Sequence, residues 1–267
     1  MIRPPAVAGT FYPSDPRALA RQVAEFCADG APKAKALGCV VPHAGYMYSG
    51  HVAGAVYAAI EIPARCILLG PRHYPRGESM AILTEGSFET PFGDAPIDST
   101  LAQELATACP RLREDTVAHE REHSLEVQIP FLQKLVKDFR FVPVVLGTDR
   151  YPVLEELGHA VAHVVARQSG PVLVIASSDM NHYESDSVTR AKDERAIERI
   201  LSLDPRGLYD TVRNEEISMC GYAATVAMLV AVRELGATEA QLVRYATSGD
   251  INGDREQVVG YAGIIIR

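Results

Sequence analysis

The sequence predicts a single α/β domain over residues 1–267, with three layers and a mostly parallel or mixed central sheet. Short apolar runs of strand length alternate along the chain with longer segments whose apolar residues recur at helical spacing. With 47% hydrophobic and 22% charged residues, the chain can bury a large core. No linker or change of composition divides the chain, which favours one domain.

The individual elements follow from capping signals and periodicity. Asp15 and Pro16 predict a helix start, because Asp caps helices and Pro is favoured at the first helical position. Helices are predicted at residues 16–27, 50–60, 99–109, 124–137, 151–167, 186–201 and 219–235. Strands are predicted at residues 39–43, 65–70, 141–146, 172–176, 242–246 and 258–266, with an inserted hairpin within residues 81–94.

Three of the predicted strands are followed closely by a histidine. His43 ends the first, His73 lies three residues past the second, and His182 follows the strand at residues 172–176. Ligands of open α/β sheets bind outside the carboxyl ends of the strands, so we expect one site at this edge. His43 and His73 also lie in turns rich in Gly and Pro that carry tyrosines, such as Tyr46, where backbone can approach a ligand closely.

Asp179 and His182 are three residues apart, so a turn would bring the two side chains together. A carboxylate beside an imidazole can fix its tautomer and raise its basicity, as a proton-transfer pair requires. Residues 177–179 could instead cap the following helix. Capping does not explain the histidine, and we predict that Asp179 and His182 are catalytic.

Cys220 precedes a predicted helix rich in small residues. The helix dipole there would stabilise a thiolate, the form that binds metal or attacks electrophiles. The alternative is an inert buried side chain, a description that fits Cys27, Cys39 and Cys66. The five cysteines include no CxxC pair, which indicates reduced thiols.

Charge and hydropathy argue against several classes of function. A net charge of −8 would repel a phosphate backbone, so we expect no nucleic-acid partner. No apolar segment approaches the ~20 residues of a transmembrane helix. The first 13 residues lack the apolar region of a signal peptide. We therefore expect a cytoplasmic protein without membrane association.

Two segments resemble known metal-binding motifs only in part. Residues 119–123 match the HExxH pattern of zinc proteases, in which two histidines on a helix hold zinc. The intervening Arg121 and Glu122 stand where such a helix would normally bury an apolar residue. Residues 250–254 resemble the start of a calcium loop, but Arg255 stands where that loop needs Gly and Tyr261 where it needs Glu.

Motifs along the whole chain resemble those of the Memo family. They lie in family order at residues 3–13, 41–50, 70–74, 122–128, 177–182, 219–221 and 259–261. The family shares its fold with the class III extradiol dioxygenases of the LigB-like type, which hold non-haem iron(II) with two histidines and a glutamate. The resemblance therefore implies a LigB-like fold for one Memo-like domain over residues 1–267.

The resemblance also implies site residues. In Memo proteins the metal-ligand positions are His, His and Cys, which fall here on His43, His73 and Cys220. The acid/base histidine of the dioxygenases corresponds to His182, and His123 corresponds to a second pocket histidine. We expect His123 to take part in catalysis and, with Tyr46, to line the substrate pocket.

A cysteine in place of glutamate changes the expected chemistry. A thiolate shifts preference from iron(II) toward softer ions such as copper(I), or zinc. We expect one metal ion, iron or copper, with zinc as the alternative, in a metal-dependent oxidoreductase that acts on an unidentified small molecule. The other interpretations are a non-catalytic binding or scaffold protein that kept the pocket, and a zinc hydrolase with the same ligands. The resemblance further implies a functional link to a radical-SAM enzyme.

Overall fold

The computed structural model describes residues 1–28 and 32–267, and within them nine strands form one mixed sheet at the centre of the molecule. The strands are β1 (Ile2–Arg3), β2 (Gly38–Val41), β3 (Arg65–Pro71), β4 (Met80–Ile82), β5 (Ser87–Thr90), β6 (Gly93–Pro96), β7 (Arg113–Glu114), β8 (Arg140–Leu146), β9 (Val172–Ser177), β10 (His182–Glu184), β11 (Ala240–Thr247) and β12 (Val258–Ile266). The central sheet has the order β10-β12-β2-β9-β3-β8-β4-β7, with β11 also paired to β12. Strands β1, β5 and β6 form a second, smaller sheet.

Helices connect the strands and cover the sheet. They are α1 (Pro16–Phe26), α2 (Tyr46–Ala59), α3 (Ser99–Ala108), α4 (Ile129–Leu135), α5 (Tyr151–Ala166), α6 (Asp186–Leu201), α7 (Pro205–Asn214), α8 (Tyr222–Glu234) and α9 (Gly249–Asn252), with a 3-10 helix at Glu126–Gln128. The start of α1 is as predicted, because the Asp15 side chain accepts a hydrogen bond from the backbone of Ala18 and Pro16 is the first helical residue.

Strands β2, β9, β3 and β8 are mutually parallel, whereas β12 and β4 pair with this group in antiparallel orientation. Every residue of β2 and β9 is buried, which explains their continuous apolar sequences. The prediction of a mixed α/β fold is confirmed. The parallel strands bring their carboxyl ends to one edge of the sheet.

The sheet has helices on both faces. A side chain at Gly38 of β2 would contact Met228 and Val232 of α8. On the opposite face, a side chain at Gly263 of β12 would contact α2 at Val56. The strand register agrees with helices on two faces. Residue 40 of β2 points to the same face as Gly38, the face covered by α8, and its register partner Ile264 shares that face. Gly263, the neighbour of Ile264, therefore points to the opposite face. The predicted three layers are therefore helix, sheet and helix.

Several predicted boundaries were wrong. Helix α2 begins at Tyr46 rather than residue 50, because the N–H of Tyr46 bonds to the carbonyl of Phe11 at the helix entry. The helix predicted at residues 124–137 is a 3-10 turn followed by the short α4. The inserted hairpin consists of β5 and β6, while β4 joins the central sheet beside β8.

Helix α7 and strand β10 were not predicted. Helix α7 carries the same signal as α1, since Asp204 caps it and Pro205 is its first residue. Strand β10 is too short to show a periodicity, and its pairing with β12 defines it. Among the described residues, the helices include none with the length and apolar character needed to cross a membrane.

Candidate metal centre

The carboxyl ends of β2, β9 and β3 lie next to one another. The last residues of β2 and β9, Val41 and Ser177, are register partners, and β3 lies on the other side of β9. His43 and His73 each lie two residues beyond the end of their strand. Their ring centroids are 5.2 Å apart. The fold therefore brings two of the predicted ligands together across an intervening strand.

His123 completes a group of three imidazoles. Its ring stacks on His73 with a centroid distance of 4.5 Å and lies 5.6 Å from the ring of His43. One potential ligand atom from each histidine lies within 4.8 Å of the other two. In residues 1–28 and 32–267 this is the one group of His, Cys, Asp or Glu side chains with that spacing. The three histidines could hold a metal ion.

The ring of His43 is buried, and its tautomer follows from its partner. Nδ1 lies 3.0 Å from Oγ of Ser177. The Ser177 hydroxyl donates its proton to the carbonyl of Ser124 at 2.6 Å, so toward His43 it can only accept. Nδ1 of His43 therefore carries the proton, and Nε2 presents its lone pair. Burial lowers the pKa of His43 well below its ordinary value, and the charge of His73 acts in the same direction.

A buried glutamine fixes the hydroxyl beneath His43. Nε2 of Gln128 donates to Oγ of Ser177 and to the carbonyl of Pro42, both at 2.9 Å. The hydroxyl of Tyr57 donates to Oε1 of Gln128 at 2.8 Å, which sets the orientation of the amide. These side chains are fully buried. Each donor and acceptor in this hydrogen-bond network has one possible role, so the orientation of the His43 ring is fixed.

A carboxylate supports His73 instead of a hydroxyl. Oε1 of Glu122 accepts from Nδ1 of His73 at 2.8 Å, and Oε2 accepts from its backbone N–H at 2.6 Å. The backbone N–H of Ser124 also donates to Glu122 at 2.9 Å. Nε2 of His73 is thus left as its ligand atom.

The pKa values of this pair shift in opposite directions. Burial lowers the pKa of His73, but its hydrogen bond to Glu122 and the carboxylate charge outweigh burial and raise the pKa overall. Burial raises the pKa of Glu122, but the hydrogen bond and charge of His73 prevail and lower that pKa to about 2. Glu122 is therefore ionised, and it makes His73 the more basic imidazole.

The segment that carries Glu122 and His123 reaches the end of β3 because Gly70 has no side chain. A side chain at Gly70 would overlap Ser124 and Leu125, with its Cβ at 2.7 Å from atoms of both residues. The glycine thus lets the side chains of Ser124 and Leu125, more than 50 residues away in sequence, pack against the end of β3. The same approach lets Oγ of Ser124 donate to the carbonyl of Pro71 at 3.1 Å.

Packing, rather than a hydrogen bond, orients His123. Its Nδ1 lies 3.7 Å from Oε1 of Glu122, which is beyond hydrogen-bond distance. The ring of Phe11 contacts it edge-on with a centroid distance of 4.9 Å. Burial and the charge of His43 lower the pKa of His123 to about 4, so this ring is neutral at physiological pH.

Cys220 lies against His43. Its Sγ is 3.2 Å from Nε2 of His43 and 3.7 Å from the carbonyl of Asp179. Gly221 makes this possible, because a side chain there would overlap Ser177 and Ser178. In the described chain, Cys220 is not part of the mutually spaced group, in which His123 occurs instead. Its role as a ligand stays a prediction.

The expected helix-dipole effect on Cys220 was wrong. Helix α8 begins at Tyr222 with Gly221 as its N-cap, so Cys220 lies outside the first turn. Burial, followed by the charge of Asp179, raises the pKa of its thiol well above the ordinary value. The protonated thiol can donate to the Nε2 lone pair of His43.

Asp179 and His182 lie at the same edge of the sheet but have separate hydrogen-bond partners. Oδ1 of Asp179 accepts from the backbone N–H groups of His43 and Ala44, at 2.7 and 3.3 Å. Nδ1 of His182 donates to the carbonyl of Ser218 at 2.8 Å. Burial raises the pKa of Asp179, and the charge of His182 partly opposes this effect. Ser218 therefore fixes the His182 tautomer, and the proton-transfer role of the pair stays a prediction.

Tyr46, expected to line the pocket, lies in the core. Its side chain is buried, and its hydroxyl donates to the carbonyl of Val127 at 2.7 Å. The ring packs against Phe131, with Tyr12 and Phe26 also close. Tyr46 thus supports the 3-10 turn beneath the site, and its substrate-binding role stays a prediction.

The HExxH residues do not form a zinc-protease site. Residues 119–123 form a turn, bends and irregular structure instead of a helix, and Nδ1 of His119 bonds to the carbonyl of Asp115. His119 is buried beside Phe88 and, among the described residues, is not a member of the three-histidine group. The other half of the segment does contribute to the site, since Glu122 orients His73 and His123 joins the group.

Sequence reasoning missed the supporting residues Glu122, Ser177 and Gln128. Each lies in a stretch that carried the family resemblance, at residues 122–128 or 177–182. Buried polar side chains in such stretches are a signal for these roles, because a buried polar group needs a partner. Which partner each would find depends on contacts between distant segments.

The donor set fits a transition metal. Imidazole nitrogens suit zinc, copper, iron and nickel, and a metal ligand must be deprotonated. His43 and His123 meet that requirement through their lowered pKa values, and His73 through loss of the proton from Nε2. The sulfur of Cys220 adds a soft donor beside His43.

Comparisons with known proteins agree with the motifs. A family model described as Memo-like protein matches residues 3–265. A MEMO1 family protein from Methanopyrus kandleri is 42% identical, with 100% of this chain and 99% of the relative covered. One from Methanothermobacter thermautotrophicus is 41% identical over 98% of this chain and 99% of the relative.

A solved structure with the same fold has low sequence identity to this chain. It is an uncharacterized protein from Escherichia coli K12, with a TM-score of 0.60 and 12% identity. The match covers 85% of this chain and 98% of the other. At this identity the likeness concerns the fold alone.

Proposed function

This chain belongs to the Memo family, and from that premise we propose that it is a metal-dependent oxidoreductase with its metal at His43, His73 and His123. The observation that carries the proposal is the mutual spacing of the three potential ligand atoms, within 4.8 Å. Separate groups engage or crowd one ring nitrogen of each imidazole, which leaves the other nitrogen for a metal, with the Cys220 thiol beside Nε2 of His43. A donor set with this spacing could hold one metal ion.

Cys220 is the proposed additional ligand. Its sulfur is already 3.2 Å from Nε2 of His43, and a metal ion next to a thiol deprotonates it. A bound copper or iron ion would supply electron-transfer and oxygen chemistry, which zinc does not undergo. Thiolate with imidazole favours copper among these, and a hard carboxylate would favour iron.

The chain itself handles protons through His182. Because Nδ1–H of His182 bonds to the carbonyl of Ser218, its Nε2 is the atom that accepts a proton from a substrate. Asp179 is a buried carboxyl whose pKa burial raises and the charge of His182 lowers in part, and it holds the turn of His43 through two backbone N–H groups. We propose that His182 transfers the proton while Asp179 stabilises its charged form.

A zinc hydrolase is the second candidate, and the three-histidine donor set favours it. Three imidazoles with an open fourth position are a known ligand set of catalytic zinc, in which bound water is acidified to a pKa near 7. The two candidates share the same residues and differ in the ion. Metal content therefore separates them.

The test is metal analysis of protein purified without added metal, followed by activity assays. We expect copper or iron at about one ion per chain, with uptake of oxygen or oxidation of a reductant over a panel of small phenols and thiols. Stoichiometric zinc with ester or amide hydrolysis would replace the oxidoreductase by the hydrolase. If the wild-type protein binds no ion, even after reconstitution with metal, both the oxidoreductase and the hydrolase are refuted. The interpretation as a scaffold protein would then remain.

A further inference from the structure

The third histidine of the group depends on a segment near the first residue of the chain. His43 and His73 each donate from Nδ1 to a buried oxygen. Within the described residues, His123 has no such hydrogen bond and is held by packing against His73 and Phe11. Its place is therefore set by its backbone and by the residue that packs on its ring.

Arg3 binds that backbone directly. Its guanidinium is buried, with Nη2 donating to the carbonyl of Glu122 and Nε to the carbonyl of His119, both at 2.7 Å. The Glu122 carbonyl belongs to the peptide bond that joins Glu122 to His123. Arg3 thus holds both ends of the turn that presents His123, from 120 residues away in sequence.

Glu126 completes the clamp. Its fully buried carboxylate accepts from Nη1 of Arg3 at 2.6 Å and from the hydroxyl of Tyr12 at 2.7 Å. It also accepts from the backbone N–H groups of Ala6 and Val7, at 2.8 and 3.0 Å. These contacts fasten residues 3–12, which we term the N-terminal strap, to the segment that carries His123. Phe11, the strap residue on the His123 ring, lies next to Tyr12.

A buried ion pair is weak evidence for a contribution to stability alone. Removing two charges from water is costly, and well-packed apolar residues of similar volume often do as well or better. An arginine also provides orientation, because the donors of its planar guanidinium hold several acceptors in fixed directions at once. Besides the adjacent carbonyl of Pro4, the acceptors of Arg3 are two carbonyls of the His123 turn and one carboxylate.

We propose that Arg3 and Glu126 are positioning residues that hold His123 within ligand distance of His43 and His73. The inference rests on the proposed metal site and adds the strap to it. Without the clamp, the site has two oriented histidines and a third that is free to move away. Metal affinity would then fall to that of a site without His123.

The experiment is a double-mutant cycle with Co²⁺ as the probe. Purified chains with Arg3→Gln, His123→Ala and both changes are titrated with Co²⁺, and affinity and visible spectrum are recorded. We expect Arg3→Gln to weaken binding about 10–100-fold, the range for residues that orient a ligand. The double variant should bind no more weakly than His123→Ala, because both changes remove the same contact. Losses that add would overturn the inference.

A matched control separates positioning from stability. Arg65 forms a partly buried ion pair with Asp98 at 2.5 Å, distant in sequence from the strap. Arg65→Gln should lower thermal stability without changing Co²⁺ affinity or spectrum. If Arg3→Gln does not fold, Arg3→Lys keeps the positive charge but loses the fork, and it should still weaken Co²⁺ binding. Wild-type affinity in a folded Arg3→Lys chain would overturn the inference.

A readout without metal distinguishes this inference from the proposed function. The Phe11 and His123 rings are close enough for a nuclear Overhauser effect, with centroids 4.9 Å apart. We expect this effect to be lost in Arg3→Gln and kept in Arg65→Gln. Wild-type protein that binds no Co²⁺ would refute the proposed function, whereas a Phe11–His123 effect retained in Arg3→Gln would refute the clamp.

Discussion

The supports of His43 and His73 form two regions of one site that differ in charge. His43 donates to a hydroxyl, Oγ of Ser177, which a neutral buried amide fixes in place. His73 donates to the ionised carboxylate of Glu122. The pKa of His43 is lowered by burial, whereas the pKa of His73 is raised because the carboxylate outweighs burial. Two adjacent imidazoles thus differ in basicity through the oxygen that each one contacts.

The difference indicates a division of labour between them. A neutral support favours a ligand that is unprotonated at every physiological pH, and a carboxylate support gives a stronger but proton-sensitive donor. His182 has a third kind of support, the backbone carbonyl of Ser218. A carbonyl fixes the tautomer without adding a full charge, which suits a group that must gain and lose a proton.

The largest expected effect comes from removing an imidazole of the group. His43→Ala should abolish tight metal binding, and His119→Ala should leave it unchanged. Both histidines are 1% exposed, so the two substitutions create comparable cavities and differ in whether the site loses a ligand. The measurement is metal content after dialysis against a weak chelator. If only the His119 variant loses its metal, the result would favour the zinc-protease interpretation instead.

The next effect concerns the carbonyl-supported histidine. His182→Ala should reduce any metal-dependent turnover by about 10²–10⁴-fold, the usual contribution of a general acid or base. Metal affinity should remain, because His182 is not among the three grouped histidines. Turnover and metal content are measured on the same sample. Wild-type turnover in this variant would remove the proton-transfer role, whatever the substrate.

Glu122→Gln tests the charged support. It should weaken metal binding about 10–100-fold, because a neutral amide makes His73 a poorer donor. In the wild type, affinity should rise with pH as His73 loses its competing proton through its raised pKa. Loss of the carboxylate lowers that pKa, so the rise should move to lower pH in the variant. Affinity measured from pH 5 to 9 gives both results, and an unmoved pH profile would contradict the assignment.

Ser177→Ala tests the neutral support and should have the smallest effect on affinity. The variant leaves Nδ1–H of His43 and one N–H of Gln128 without their acceptor, a loss of about 1–3 kcal/mol in stability. The ¹⁵N chemical shifts of the His43 ring report the tautomer. We expect Nδ1–H in the wild type and a mixture of tautomers in the variant. A pure Nδ1–H form in both proteins would show that Ser177 does not set it.

Much of the fold could be predicted from the sequence because its signals are local. The buried strands β2, β3 and β9 are continuous apolar runs, and α6 spans the residues that its periodicity predicts. The hairpin was misplaced because β4 finds its partner in β8, more than 50 residues away. Pairing between distant strands leaves little trace in a single sequence.

The candidate site shows the same division. His43 and His73 were recognisable because a strand end is a local feature, and the carboxyl edge of a parallel sheet collects ligand-binding residues. Motif resemblance added His123, and it assigned roles to Cys220 and His182, which their local sequence context had already indicated. The place of Tyr46 was not predictable, since its ring packs into a cluster with residues from α1 and α4.

The sequence by itself therefore determined the layers of this protein, its family and the histidines of its sheet edge. These follow from periodicity, composition and short motifs, which each depend on neighbouring residues. The tertiary structure decided that His123 lies with His43 and His73 and which oxygen each imidazole contacts. It also decided that Arg3 holds the turn of His123. Those outcomes depend on the approach of segments about 50 to 130 residues apart, where close packing gives each buried polar group few partners.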